Sequence, residues 1–211
     1  MAGWSRIRYN PNIPLYPDRE RVTGGREHIR ISKDAAKEGM VLLKNDNKAL
    51  PLKKGSRLVL IGKATLDYVK GGGGSGDVTV AYSRNLYEGI KIYDKTTEIF
   101  EPLIHFYKEN LAEQYSNGAA PGLTKEPVLP EELLKRSAEF SDVAVLSFCR
   151  YSGEGWDRSC SIEGKELHME NLEKDVWGED AMRVMAKKVF PKGDFYLNAG
   201  EEKLLELTAG K

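Results

Sequence analysis

The sequence predicts an α/β fold, a three-layer sandwich with a mostly parallel sheet between helices. Two observations carry this. Arg57-Leu58-Val59-Leu60-Ile61-Gly62 and Asp142-Val143-Ala144-Val145-Leu146-Ser147-Phe148-Cys149 are apolar, β-branched-rich runs without polar alternation. Strands buried on both faces read this way. Around them lie segments whose apolar residues recur at helical spacing, and strands alternating with helices imply a parallel sheet covered by helices. A chain of 211 residues is long enough for one domain with a sizeable core, or for one domain plus an arm.

Taken in order, residues 1–25 read as an N-terminal arm. Pro11, Pro14 and Pro17 block regular helix, and Trp4, Ile13, Leu15 and Tyr16 offer apolar side chains for docking. The domain proper is expected over 26–211. Residues 26–45 predict a helix with Ile29, Ala36, Met40 and Leu43 on one face. Asn45-Asp46-Asn47 ends it, and Ala49-Leu50-Pro51-Leu52 is an extended connector to the first strand. Beyond that strand, residues 83–92 suggest a short helix with Ser83 as N-cap, and 98–115 a longer one. Residues 116–130 are loop. Pro130 suits the first turn of a helix over 131–140, with Glu131 and Glu132 at its positive end. That helix feeds the strand at 142–149. Residues 165–177 and 179–190 read as two helical segments broken near Gly178, and the Met182, Met185, Ala186, Val189 stripe reads as core. After a turn at 191–194, Asn198 can cap a last helix over 199–208. The alternation then calls for a further strand and none follows, so the sheet is expected to be incomplete at the C-terminus.

Composition narrows the function. Lys+Arg and Asp+Glu are both 32, giving a formal net charge of +0, which offers no electrostatic case for nucleic acid or an acidic membrane surface. No apolar run approaches the roughly 20 residues of a membrane span, and residues 1–8 lack an apolar signal core. Two cysteines, Cys149 and Cys160, fit a reducing compartment. The expectation is a cytoplasmic protein. Those cysteines flank one loop, the placement a regulatory bridge would need. His168 and Glu170 form a lone His-x-Glu, too little for a metal site; neither metal nor cofactor is expected.

Two stretches could carry chemistry. The first is Arg150-Tyr151-Ser152-Gly153-Glu154-Gly155-Trp156-Asp157-Arg158, a loop leaving the end of the second strand. Glycines on either side of Glu154 favour a tight turn, and the ends of central strands are where α/β folds place their sites. An aromatic neighbour raises a carboxyl pKa and a cation lowers it, so Glu154 beside Trp156 and Arg158 suits either proton transfer or a solvated turn with an ion pair. The second is Lys70-Gly71-Gly72-Gly73-Gly74-Ser75-Gly76-Asp77. It reads equally as a flexible linker and as a loop whose backbone passes close to a ligand, with Ser75 supplying the hydroxyl. Phosphate binding is the third reading; the run begins well after the strand and lacks the Gly-Lys-Ser/Thr ending.

Together these pieces resemble the smaller α/β sandwich domain of the glycoside hydrolase family 3 enzymes, the β-glucosidases, β-xylosidases and relatives. Ala35 to Asn45 with Ala49-Leu50-Pro51-Leu52 is similar to that domain's opening helix and connector, Val59-Leu60-Ile61-Gly62 to its first strand, and Lys70 to Asp77 to its glycine-rich loop. Ser152 to Arg158, with Lys192-Gly193-Asp194-Phe195-Tyr196-Leu197 downstream, resembles the acid/base loop of one branch of the family. The resemblance spans about residues 26–208, and the family's barrel domain has no counterpart in the sequence.

The resemblance implies part of a retaining glycosidase acting on β-glucosides or related β-glycosides, in a member with reversed domain order or a truncated one. In such an enzyme one carboxylate attacks the anomeric carbon, and the other protonates the leaving oxygen and later activates water. It implies that Glu154 is the acid/base and that Ser75, with Gly74 and Lys70 beside it, contacts the sugar. Asp157 and Arg158 would hold the loop. The nucleophile is expected on the missing barrel domain or on a second chain, so this chain alone is expected to be inactive. Partners implied are a β-linked oligosaccharide or glycoside and that barrel. An uncovered apolar face also implies self-association as a homo-oligomer or burial against a partner. The alternative is a non-catalytic carbohydrate-binding or regulatory remnant of such an enzyme.

Overall fold

The strand that anchors the fold is the one with no polar alternation. In the computed structural model, which describes residues 17–18, 22, 24–71, 74–76, 78, 80, 82–151, 153, 179–193 and 195–209 (side chains of 179–183 excepted), β1 runs Arg57–Ile61 and buries Leu58, Val59, Leu60 and Ile61. It is the middle strand of a three-stranded parallel sheet with order β2-β1-β3, where β2 is Glu98–Ile99 and β3 is Ala144–Leu146. Leu58 pairs with Ile99 on one side, and Val59, Leu60 and Ile61 pair with Ala144, Val145 and Leu146 on the other.

Because side chains alternate along a strand, β1 feeds two cores. Leu58 and Leu60 pack with Ile99 and Ile104, joined by Tyr87, Ile90 and Val145. Val59 and Ile61 pack with Phe100, Leu103, Tyr107, Leu129, Leu134 and Leu204. The helices behind these contacts are α2 (Leu86–Tyr93), α3 (Glu101–Ser116), α4 (Glu131–Phe140) and, after α5 (Glu179–Val189), α6 (Ala199–Ala209); α1 (Arg26–Glu38) precedes the sheet in the chain. Helices therefore lie on both faces, as the sequence predicts. A third small core joins Leu123, Val189 and Phe190, with Met185 and Ala186 of the expected stripe packed against it.

By contact the chain divides into two units, Met1–Leu52 and Lys53–Lys211. In the first, α1 buries none of its residues and is laced on its surface by Arg30 to Glu27 (2.6 Å) and Asp34 (3.4 Å) and by Lys37 to Asp34 (3.2 Å). The sequence predicts helix to residue 45, but α1 stops at Glu38. Gly39 forms its C-cap, and Met40–Leu43 continue as exposed, non-helical chain. Glycine costs a helix about 1 kcal/mol relative to alanine, and the apolar spacing that predicted a longer helix spans that break.

In the second unit the element boundaries shift in instructive ways. The α2 N-cap is Asn85, whose Oδ1 accepts the Glu88 N–H at 2.8 Å, in place of Ser83. The helix expected from residue 98 starts at Glu101, because Glu98 and Ile99 pair with β1 first. Pro130 sits just before α4, and its carbonyl accepts the Leu133 and Leu134 N–H groups. Asn198 does cap α6: its Oδ1 accepts the Glu201 N–H at 3.0 Å, and Glu201 Oε2 accepts the Asn198 N–H at 3.0 Å. This reciprocal pairing is a capping box with Asn in the capping position.

Candidate functional site

The strand order fixes where to look. From β1 the chain passes to β2 on one side and then to β3 on the other, so the path through the sheet diverges about β1, beside the C-terminal end of β3. In open α/β sheets that divergence is the usual place for a site. Here Gly62 leaves β1 with φ +95, a conformation that disfavours any side chain. A Cβ at this position would fall 2.3 Å from the Ser147 carbonyl oxygen, so glycine is what lets the two strand ends approach.

The space beyond Gly62 is filled by the protein's own polar groups. Tyr107, wholly buried on α3, accepts the Gly62 N–H at 2.8 Å and donates to Glu126 Oε1 at 2.9 Å. Glu126 Oε2 accepts the Lys63 N–H at 2.9 Å. Lys63, only 3% exposed, directs its ammonium to Thr124 Oγ1 at 2.8 Å, with Asp67 Oδ2 at 3.9 Å. Thr124 donates to Asp67 Oδ2 at 2.5 Å, and the Tyr115 hydroxyl donates to Asp67 Oδ1. Burial pushes the Glu126 carboxyl above its usual range, opposed by the hydrogen bonds from Lys63 and Tyr107. Burial likewise raises the Tyr107 and Tyr115 phenols, reinforced by the adjacent Glu126 and Asp67. These groups satisfy one another, which is what buried polar groups require.

The other strand end is held as tightly. Arg150, just past β3, forms a bidentate pair with Glu201 of α6, Nη1 to Oε1 at 2.7 Å and Nη2 to Oε2 at 2.8 Å. Nη1 also donates to the Cys149 carbonyl at 2.9 Å and Nη2 to the Tyr196 carbonyl at 3.0 Å. The guanidinium lies 4.5 Å over the Phe190 ring. Glu201 is 1% exposed. Tyr151 follows and packs on Gly122 (φ +74), where a Cβ would come within 2.6 Å of the Tyr151 Cβ. Cys149 is a free, half-buried thiol that donates to the Asp67 carbonyl at 3.6 Å, and burial raises its pKa. A raised pKa disfavours the thiolate needed for ready oxidation.

Of the residues singled out from sequence, Glu154, Asp157 and Arg158 lie outside the described residues, as does Cys160. The glycine-rich loop is described in part: Gly74–Gly76 form a short exposed 3-10 turn with Gly74 at φ +69, which includes Ser75. Lys70 donates to the Val78 carbonyl at 2.7 Å, bridging the run from one side to the other. The structure thus shows Lys70 in a loop-holding contact, and Ser75 on the exposed turn it helps close. From sequence, Lys63, Glu126 and Glu201 have no assigned role, and Tyr107 has only a place on the apolar side of a helix. The signal for Glu201 was present, because Asn198-Ala199-Gly200-Glu201 has the capping-box spacing. Among the described residues no three His, Cys, Asp or Glu side chains gather as metal ligands, and no helix is long and apolar enough to cross a membrane.

Comparison with known proteins decides the family. Residues 40–188 match the profile of the glycosyl hydrolase family 3 C-terminal domain. The chain belongs to glycosyl hydrolase family 3. It is 48% identical over 208 residues to β-glucosidase A of Butyrivibrio fibrisolvens, a match covering 99% of this chain and 24% of that protein. It is 33% identical over 180 residues to a β-glucosidase of Ruminococcus albus, covering 82% of this chain and 18% of the relative. Among solved structures it resembles β-glucosidase 3B of Thermotoga neapolitana in complex with glucose, at TM-score 0.61 and 28% identity, over 87% of this chain and 22% of that one. The chain therefore spans about a quarter or less of the length of these family 3 relatives. Its parallel sheet with flanking helices matches the α/β architecture of the domain it aligns with.

Proposed function

We propose that this chain supplies the general acid/base and a sugar-contacting loop to a retaining β-glycosidase, with the nucleophile on a separate barrel domain or partner chain. The observation that carries the reading is the position of the Ser152-Gly153-Glu154-Gly155 motif. It begins two residues after Arg150, the point where the end of β3 is locked to α6 at the divergence of the parallel strands. Identity of 48% to part of a β-glucosidase, over 99% of this chain and 24% of that relative, supports the same chemistry.

In this reading Glu154 gives its proton to the glycosidic oxygen as the C–O bond breaks, while a carboxylate elsewhere attacks the anomeric carbon. The Glu154 carboxylate then takes a proton from the water that releases the sugar. Ser75, presented by the turn that Gly74 permits and Lys70 helps close, hydrogen-bonds the sugar. Asp157 and Arg158 support the loop around Glu154. Both halves of the reaction need two carboxylates, so one chain carrying only the acid/base does not turn over.

The test is hydrolysis of a panel of aryl β-glycosides by this chain alone, beside Glu154→Gln. Absence of turnover by both fits a half-site. Turnover that vanishes in Glu154→Gln would overturn it, because a second carboxylate would then have to lie within this chain or a self-assembled copy.

A further inference from the structure

We infer that the Arg150–Glu201 pair is a positioning clamp for the acid/base, tuned to the step in which the leaving group is protonated. This rests on Glu154 holding that role. The geometry is unusually complete. Each Nη of Arg150 donates twice, to Glu201 and to one backbone carbonyl, and the guanidinium plane is backed by Phe190. Glu201 in turn accepts the Asn198 N–H, so its carboxylate is fixed by the helix it begins. The clamp ties three pieces together: the chain just past β3, the Tyr196 backbone with the Phe190 ring, and the N-terminus of α6.

A buried ion pair of this kind is a poor device for stability alone, since well-packed apolar side chains of similar volume often do as well or better. What a bidentate fork adds is direction. The direction matters because Glu154 lies four residues from Arg150, a distance of at most about 14 Å of extended chain. Tyr151 against Gly122 supplies a second fixed point one residue nearer. A carboxylic acid that must reach a glycosidic oxygen is sensitive to displacements of about 1 Å, which can cost on the order of a hundredfold in rate. Arg150 and Glu201 touch no reacting atom in this scheme. They act through the chain they hold.

The experiment uses the complete enzyme, in which this chain is joined to its nucleophile-bearing domain. Two variants loosen the clamp differently. Glu201→Gln keeps side-chain volume and an acceptor for the Asn198 N–H but removes the charge; Arg150→Lys keeps the charge and loses the fork. For each, kcat/KM is measured across aryl β-glucosides from 2,4-dinitrophenyl, which leaves without protonation, to weakly acidic phenols, which do not. Thermal unfolding is followed alongside. Expected is a loss of about 10- to 100-fold on the weakly acidic phenols and little loss on dinitrophenol, with Glu154→Gln showing the same split more strongly. A loss equal across the series, or none, while Glu154→Gln shows the split, overturns the clamp and leaves the acid/base assignment standing. No split in Glu154→Gln itself overturns that assignment and the clamp with it. If Glu201→Gln unfolds, Arg150→Lys, the gentler change, decides by the same split.

Discussion

The phenol of Tyr107 is fully buried, yet its oxygen accepts the Gly62 N–H and donates to Glu126. Removing that oxygen leaves a backbone donor and a carboxylate lone pair facing an apolar ring. Tyr107→Phe is therefore expected to cost about 1–3 kcal/mol, the range for a stranded buried polar group. Denaturant unfolding at neutral pH measures it. A change below about 0.5 kcal/mol, the scale of ordinary surface substitutions, would mean that another group replaces the hydroxyl and that the link between β1 and Glu126 is not the one described. Residues of this kind were not legible in the sequence. A tyrosine on an apolar helical face reads as core, and the two groups it joins lie 45 and 19 residues away along the chain. The same holds for Arg150 and Glu201, separated by 51 residues. By contrast, Glu154 was singled out from neighbours on its own loop, and it lies outside the described residues.

At the scale of elements, what was legible follows from how much of each element's environment is local. β1 announced itself because burial on both faces forces a continuous apolar run. β2 did not: two residues carry no period, and Glu98 and Ile99 merge in the sequence with the helix that follows. The α2–β2 turn depends on Asp94. Its Oδ1 accepts the Thr96 hydroxyl (2.6 Å) and N–H (3.0 Å), and its Oδ2 accepts the Gly55 N–H (2.9 Å) and the Thr97 hydroxyl (2.8 Å). One carboxylate thereby ties the approach to β1 to the approach to β2. Hydrogen bonds to the charged form, the Thr96 hydroxyl first, hold its pKa well below the usual carboxylate value of 3.8. A folded-state pKa lowered in this way contributes stability that is present above the unfolded value and fades as pH falls toward the folded one. Asp94→Asn should accordingly flatten the acid limb of a stability–pH curve below about pH 4. An acid limb identical to that of the parent protein would show that Asp94 does not couple folding to pH.

At the scale of the whole molecule, the chain covers about a quarter or less of its β-glucosidase relatives, and its first unit exposes an apolar run. Met40, Val41, Leu42 and Leu43 follow the C-cap of α1 and stand 62–92% exposed. Single exposed apolar side chains are ordinary, whereas four in succession form a patch of the sort that marks an interaction surface or an association hazard. The run is also apolar throughout and uncharged until Lys44, so nothing in it opposes association with other chains. The isolated chain is therefore expected to bind an apolar dye and to increase in mass with concentration in light scattering. Val41→Lys with Leu43→Lys is expected to reduce both effects while leaving the far-ultraviolet circular dichroism unchanged, since neither side chain is buried and neither lies in a helix or strand. A parent chain that stays monomeric and dye-free at every concentration would place these residues among the harmless exposed apolar groups. If the charged pair abolishes association without loss of structure, the same variant placed in a complete enzyme separates two roles for the run. Weakened activity there would tie it to assembly of the catalytic unit, and unchanged activity would confine it to contacts between isolated chains.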